Sequence, residues 1–210
     1  MTPAQIVPVL LERLREAHPG ARYELDWTTP LELLVATLLA AQCTDERVNR
    51  VTATLFKKYP DAQAYADADT AELEEDLKPT GFFRQKTKTV QAVCRELIRR
   101  FGGEVPRTIE ELTTLPGVAR KSANVVLNTA FNIPSGIIVD THVARVSQRM
   151  GITTHDRPED IERDLMKLVP EDAWTFFGPA TVLQGRYTCV AKKPKCDACT
   201  VSDLCAKRGV

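Results

Sequence analysis

The chain has 210 residues, 43% hydrophobic and 27% charged, with acidic and basic side chains balanced to a formal net charge of zero. That length allows one large domain or two modest ones with real cores, and the composition excludes disordered, fibrous and collagen-like classes. No apolar run approaches the ~20 residues that span a bilayer, and Met1-Thr2-Pro3-Ala4-Gln5 lacks a basic-then-apolar export signal, so a cytoplasmic chain is expected, with no membrane partner.

Helical periodicity recurs throughout and strand alternation is nearly absent, which predicts an all-α protein. Thr2-Pro3-Ala4-Gln5 reads as a capping box, but Pro8 is expected to kink that helix or to move its start, leaving Leu10, Leu11, Leu14 and Ala17 facing inward. Thr29-Pro30-Leu31-Glu32 is a cleaner start: an N-cap, a proline at the first helical position and a glutamate at the third. It leads into Leu33–Ala41, apolar nearly all round, the pattern of a central buried helix. Gln42-Cys43-Thr44-Asp45 then breaks the apolar run, and a further helix extends to Tyr59 before Pro60. A short acidic helix begins near Asp69 and stops before Pro79, and Gly81-Phe82-Phe83 forms a tight aromatic loop. Val90, Val93, Cys94, Leu97, Ile98 and Phe101 mark one face of the next helix, which Gly102-Gly103 stop.

Thr108-Ile109-Glu110-Glu111 caps a helix of one or two turns ending at Leu115, and beyond Pro116-Gly117 a long helix runs to Phe131. A tight turn opening a helix presents free backbone N–H groups, a ready seat for a phosphate oxygen. Lys121 lies in that helix's first turn, where positive potential pushes an amine toward its neutral, nucleophilic form. Asn132–Gly136 is a break and a domain boundary. After Ile137-Ile138-Val139, Asp140-Thr141 caps a helix to about Met150; Pro158 opens another, ended by Pro170, and a last one within Glu171–Gly185 is interrupted at Gly178-Pro179.

Charge is unevenly spread. Asp61 to Asp76 carries acids and no Lys or Arg, Arg84 to Lys121 is mostly basic, and Lys192, Lys193 and Lys195 lie between two cysteines. A basic face on a neutral molecule suits a polyanion. Cys189, Cys196, Cys199 and Cys205 are separated by six, two and five residues. In a cytoplasmic chain four thiols that close mean a metal centre. Zinc and a [4Fe–4S] cluster both accept four cysteines, and the presence of one Cys-x-x-Cys knuckle rather than two favours iron–sulfur. With no ligand position left open, the centre holds the lysine loop against phosphates rather than catalysing. Cys43 and Cys94 read as buried thiols, and His18 and His155 as surface residues.

Four stretches taken together resemble the helix-hairpin-helix DNA glycosylases, and within them the endonuclease III family: Leu115-Pro-Gly-Val-Ala-Arg-Lys-Ser-Ala-Asn-Val-Val-Leu-Asn-Thr-Ala-Phe131, Val139-Asp-Thr-His-Val143, Gly185-Arg-Tyr-Thr-Cys189 and the cysteine spacing. The resemblance runs end to end. It implies an all-α protein of two lobes with a DNA cleft between them. Residues 22–135 would form a six-helix barrel with the helix-hairpin-helix, and 1–21 with 136–210 a smaller [4Fe–4S] cluster domain held by the four cysteines. It implies a monomeric, nucleoid-associated DNA glycosylase and abasic-site lyase that removes oxidised pyrimidines from duplex DNA and nicks the strand by β-elimination.

On this chain the family's nucleophile falls at Lys121 and its carboxylate at Asp140, which is expected near the lysine but not in tight contact. Gln42, with Asp45 nearby, falls where the family fills the gap left by an extruded base. Phe82 falls at its apolar wedge, and Leu115, Gly117, Val118 and Ala119 grip the backbone through their amides. His142, Lys192 and Lys193 are further expected DNA contacts. Ala119 stands where the family has glycine; were a positive φ required there, alanine would cost about 1–2 kcal/mol. Two other classes share parts of the signal: a non-catalytic DNA-binding hairpin, and an electron carrier.

Overall fold

The computed structural model describes all 210 residues as helices, turns and loops, with no strand. Eleven α-helices follow one another: α1 (Pro3–Ala17), α2 (Pro30–Leu39), α3 (Asp45–Lys58), α4 (Ala62–Asp67), α5 (Thr70–Leu77), α6 (Phe83–Phe101), α7 (Ile109–Thr113), α8 (Arg120–Ala130), α9 (Thr141–Met150), α10 (Pro158–Leu168) and α11 (Trp174–Leu183). The chain divides into two compact units, Glu24–Asn132 and Met1–Tyr23 with Ile133–Val210.

In the unit Glu24–Asn132, α2 starts as its sequence dictates. Thr29 and Glu32 close a reciprocal capping box behind Pro30, and Leu33, Leu34, Val35, Ala36, Leu38 and Leu39 are buried. Each such leucine contributes roughly 1.5–3 kcal/mol by leaving water, so α2 forms the centre against which α3, α6 and α8 pack. Helix α4 has no counterpart in the sequence reading. Its six residues are too few for a periodic pattern, although the Asp61 carboxylate caps it by accepting from the Ala64 amide at 2.8 Å. Gly102 and Gly103, both at positive φ, end α6.

The unit Met1–Tyr23 with Ile133–Val210 packs Ile6, Val7, Leu10, Leu11 and Leu14 of α1 against Val143, Val146 and Met150 of α9, Ile161 and Leu165 of α10, and Phe177 of α11. Helix α1 runs unbroken through Pro8, and Ala17 is exposed rather than inward. Pro8 lies on the solvent face. The capping box and the buried stripe outweigh the one hydrogen bond that proline removes. Pro179 likewise does not interrupt α11. A Cβ at Gly178 would stand 2.8 Å from Tyr23 Oη, so that glycine permits close packing rather than a break. A π-helical turn, Gln184–Thr188, extends α11 to the first clustered cysteine.

Candidate functional site

The turn between α7 and α8 is built on one glycine. Gly117 takes φ +72°, and a Cβ there would lie 2.6 Å from Thr89 Cγ2 of α6, so both conformation and space demand glycine. Leu115 and Val118 are buried anchors, and their amides are already bonded, to Leu112 O and Leu115 O at 3.1 Å each. This corrects the expectation that both donate to a phosphate: their side chains hold the turn to the core. The exposed amides of Gly117 and Ala119 take part in no such bond. The first bond of α8 runs from Ala123 N to Ala119 O, which leaves the amides of Arg120, Lys121 and Ser122 outside the helical ladder. Ala119 has φ −76°, an ordinary extended residue at the N-cap, so alanine carries no strain there. Lys121 is exposed in the first turn of α8.

In the other unit, Asp140 is the N-cap of α9. Its Oδ1 accepts from the amides of His142 at 2.8 Å and Val143 at 2.9 Å, while Oδ2 is not engaged by the cap. His142 Nδ1 lies 3.1 Å from Arg145 Nη2, which turns the imidazole toward its own helix. Tyr23, unremarkable in the sequence, has a buried hydroxyl with no hydrogen-bond partner. Burial holds that phenol well above its ordinary range, and the charge of Asp140 adds to the effect, so the hydroxyl sits in the field of the carboxylate.

Gln42 and Phe82 share an uncommon backbone state. Gln42 has φ +54° and Phe82 φ +48°, in the left-handed region that L side chains occupy at a cost. Both side chains point to solvent, and Phe82 is 66% exposed. Asp45 is the first residue of α3, behind the N-cap Thr44. Cys43, beside Gln42, is half-buried rather than buried, whereas Cys94 is buried and its thiol is pushed up to about 12, chiefly by that burial.

Cys189, Cys196, Cys199 and Cys205 are free thiols lining one small hollow with Arg149, Pro194 and Lys195. Four cysteine sulfurs around one hollow are the donor set that an iron–sulfur cluster takes. Burial pushes the Cys199 and Cys205 thiols up, and repulsion from the other cysteines adds to it. A cluster of bound iron would relieve that crowding of thiolates.

Three N–H groups point at sulfur: Arg149 Nη1 at Cys189 (3.4 Å), Gln184 Nε2 at Cys199 (3.3 Å) and the Lys207 amide at Cys205 (3.3 Å). Arg149 is buried, and its guanidinium also donates to Val190 O at 2.8 Å and Ala191 O at 2.9 Å; Arg145, one turn earlier, donates to Gly185 O at 2.8 Å and Cys189 O at 3.1 Å. Two arginines of α9 therefore staple the loop that carries the exposed Lys192 and Lys193. Sequence reasoning missed them; their spacing of four on a helix next to a cysteine motif was the available signal. His18, expected at the surface, is half-buried and bonds Gln184 Oε1 at 3.1 Å.

Residues 35–171 match the HhH-GPD superfamily of base excision DNA repair proteins, and residues 189–205 match the iron-sulfur binding domain of endonuclease III. Over 192 residues, 91% of this chain and 88% of the relative, the sequence is 55% identical to endonuclease III of Synechocystis sp.. The chain belongs to the endonuclease III family. Its structure is similar to that of a non-covalent endonuclease III–DNA complex, with a TM-score of 0.92 and 42% identity over 99% of this chain and 97% of that one. A trapped endonuclease III–DNA covalent intermediate matches at the same TM-score of 0.92 with 41% identity, again over 99% and 97% of the two chains.

As a member of this family the protein is a DNA glycosylase and abasic-site lyase of base excision repair, acts on double-stranded DNA, and carries a [4Fe–4S] cluster. Its all-helical fold is the one the resemblance implied. No helix is long and apolar enough to cross a membrane.

Proposed function

We propose that Lys121 is the nucleophile and Asp140 the carboxylate of this activity, and that oxidised pyrimidines are the bases removed. The observation that carries the reading is the setting of Lys121: an exposed amine in the first turn of α8, next to the unbonded amides of Gly117 and Ala119. Amides at a helix start seat a phosphate oxygen, and a phosphate held there brings its sugar to the amine.

The neutral amine attacks C1′ of the deoxyribose. The bond to the base breaks, its electron pair leaving with the base, and loss of the amine's proton with ring opening leaves a Schiff base. The iminium acidifies C2′; a proton leaves C2′, the C3′–O bond breaks, and the strand is cut 3′ to the lesion. Asp140 stabilises the positive charge that develops on the sugar. The base must first leave the stack, at a cost of roughly a few kcal/mol. Phe82 wedges into the duplex and Gln42 fills the gap, which offsets part of that cost. Asp45, at the start of α3, is a further DNA contact.

The unit Glu24–Asn132 serves as the hairpin domain, and Met1–Tyr23 with Ile133–Val210 as the cluster domain. The bound cluster supplies a cross-link between Cys189, Cys196, Cys199 and Cys205, and the stapled loop beside it offers Lys192 and Lys193 to phosphates, with His142 a further backbone contact. The protein works as a monomer on nucleoid DNA in the cytoplasm.

Borohydride reduction is expected to cross-link the wild type to duplexes holding either an oxidised pyrimidine or an abasic site, and to trap no adduct with Lys121→Gln. Asp140→Asn, which keeps the N-cap, should slow excision about 10²-fold through loss of charge. Equal nicking of either duplex by Lys121→Gln and the wild type would overturn the assignment.

A further inference from the structure

Lys86 of α6 is buried, only 5% exposed, and no carboxylate pairs with it. Its Nζ donates to two main-chain carbonyls instead, Leu39 O and Thr80 O, each at 2.8 Å. Leu39 is the last residue of α2, and Thr80 the last of the 3₁₀ turn Lys78–Thr80 that comes after α5. Carbonyls at the ends of helical segments lack partners inside the segment and carry partial negative charge. One ammonium thus joins two chain segments that are far apart in sequence.

Each of these carbonyls lies just upstream of a strained turn. Gln42 stands three residues after Leu39, and Phe82 two residues after Thr80, both in the left-handed conformation. Side chains held in that region need surroundings that over-determine them. A methionine would fill the same channel without the cost of burying a charge, and burial does push the Lys86 ammonium's pKa down. The donors, not the stem, explain why a lysine is there.

We infer that Lys86 is a positioning residue that ties the Gln42 and Phe82 turns together, so that both side chains enter the duplex as one unit. The inference rests on the reading of those turns as the filler and the wedge. Its test compares Lys86→Met with Gln42→Ala and Phe82→Ala. Three readouts are used: single-turnover base excision, nicking of a preformed abasic site, and fluorescence of 2-aminopurine opposite the lesion, which reports opening of the pair.

Extrusion costs a few kcal/mol and each 1.36 kcal/mol is tenfold in rate, so Lys86→Met should slow excision about thirty-fold and suppress the fluorescence rise. Nicking of the abasic site, where no base must leave the stack, should change less than about threefold. Adding Gln42→Ala or Phe82→Ala to Lys86→Met should cost little more, because coupled residues are not additive.

Excision at the wild-type rate would overturn the proposal, and so would excision and nicking that fall by the same factor. Should Lys86→Met lose its helical circular-dichroism signal, Lys86→Gln, which retains an amide donor, takes its place. An intermediate loss confined to excision supports the proposal, and wild-type excision ends it. If Gln42→Ala and Phe82→Ala themselves leave excision and fluorescence unchanged, the reading of the two turns fails, and those variants say so independently of Lys86.

Discussion

The hairpin turn and the two turns ending in Gln42 and Phe82 solve opposite problems with the same backbone state. At the hairpin, positive φ falls on Gly117, where a Cβ would strike Thr89 of α6, and the amides of Gly117 and Ala119 are left unbonded. At the other two turns it falls on residues that keep their side chains, and the product is a projecting glutamine and a projecting phenylalanine. A grip on phosphate uses main-chain donors, so glycine costs it nothing. On the proposed reading, insertion into a base stack needs a side chain, so the strain would be retained there and Lys86 would hold the two turns. Left-handed non-glycine residues also occur at Asn132, Lys193 and Lys207, so what sets Gln42 and Phe82 apart is the buried ammonium shared by the segments that lead into them.

The strongest way to break this comparison is Gly117→Ala. Positive φ costs about 1–2 kcal/mol for an alanine, and contact with Thr89 Cγ2 adds an overpacking penalty of about 1–3 kcal/mol. Thermal unfolding should shift accordingly, and affinity for undamaged and lesion-bearing duplex alike should drop. Adding Thr89→Ser should restore the packing part and not the conformational part. A neutral Gly117→Ala would remove the argument for a glycine-built grip.

Phe82→Gly sharpens the other half. The substitution relieves left-handed strain and loosens the unfolded chain by similar amounts, and Phe82 is exposed. Thermal stability should therefore stay within about 1 kcal/mol while excision slows about tenfold or more. Gln42→Gly should behave alike, with a smaller loss of rate. Stability falling together with rate would mean that Phe82 serves the fold rather than the DNA.

The smallest effect is expected at Lys193, the cluster-loop residue with φ +53°. Lys193→Gly keeps the conformation and removes one charge. Binding should weaken about equally for all sequences, and the slope of affinity against salt should fall by about one. An unchanged slope would place that lysine off the DNA.

Much of the fold and the site was legible in the residues. Thr29, Pro30 and Glu32 announce α2 because a capping box acts within four residues, and Gly102-Gly103 end α6 because only a residue tolerant of positive φ finishes a helix that way. The cysteine spacing gives a metal centre for a similarly local reason. What escaped were Lys86, Arg149 and Tyr23. A buried cation is recognisable only by its acceptors, and those of Lys86 lie 47 and 6 residues away in sequence. The apolar stripe of α6, on which Lys86 lies four residues before Val90, does set it apart from the exposed Lys88, but a stripe gives no acceptor. The Ala119 position misled for the reverse reason, since the residue requiring positive φ is two places earlier.

By itself, then, the order of residues determined the helices other than α4, most of their caps, the hairpin and the four-cysteine centre, because each rests on hydrogen bonds or spacings that span a few residues. Tertiary structure alone decided that Pro8 and Pro179 lie within unbroken helices, which amides of the hairpin stay unbonded, and which cations are buried beneath the turns and the cluster loop. Those outcomes depend on burial and on partners brought from distant parts of the chain, and packing energy summed over many side chains outweighs the local preference of any one.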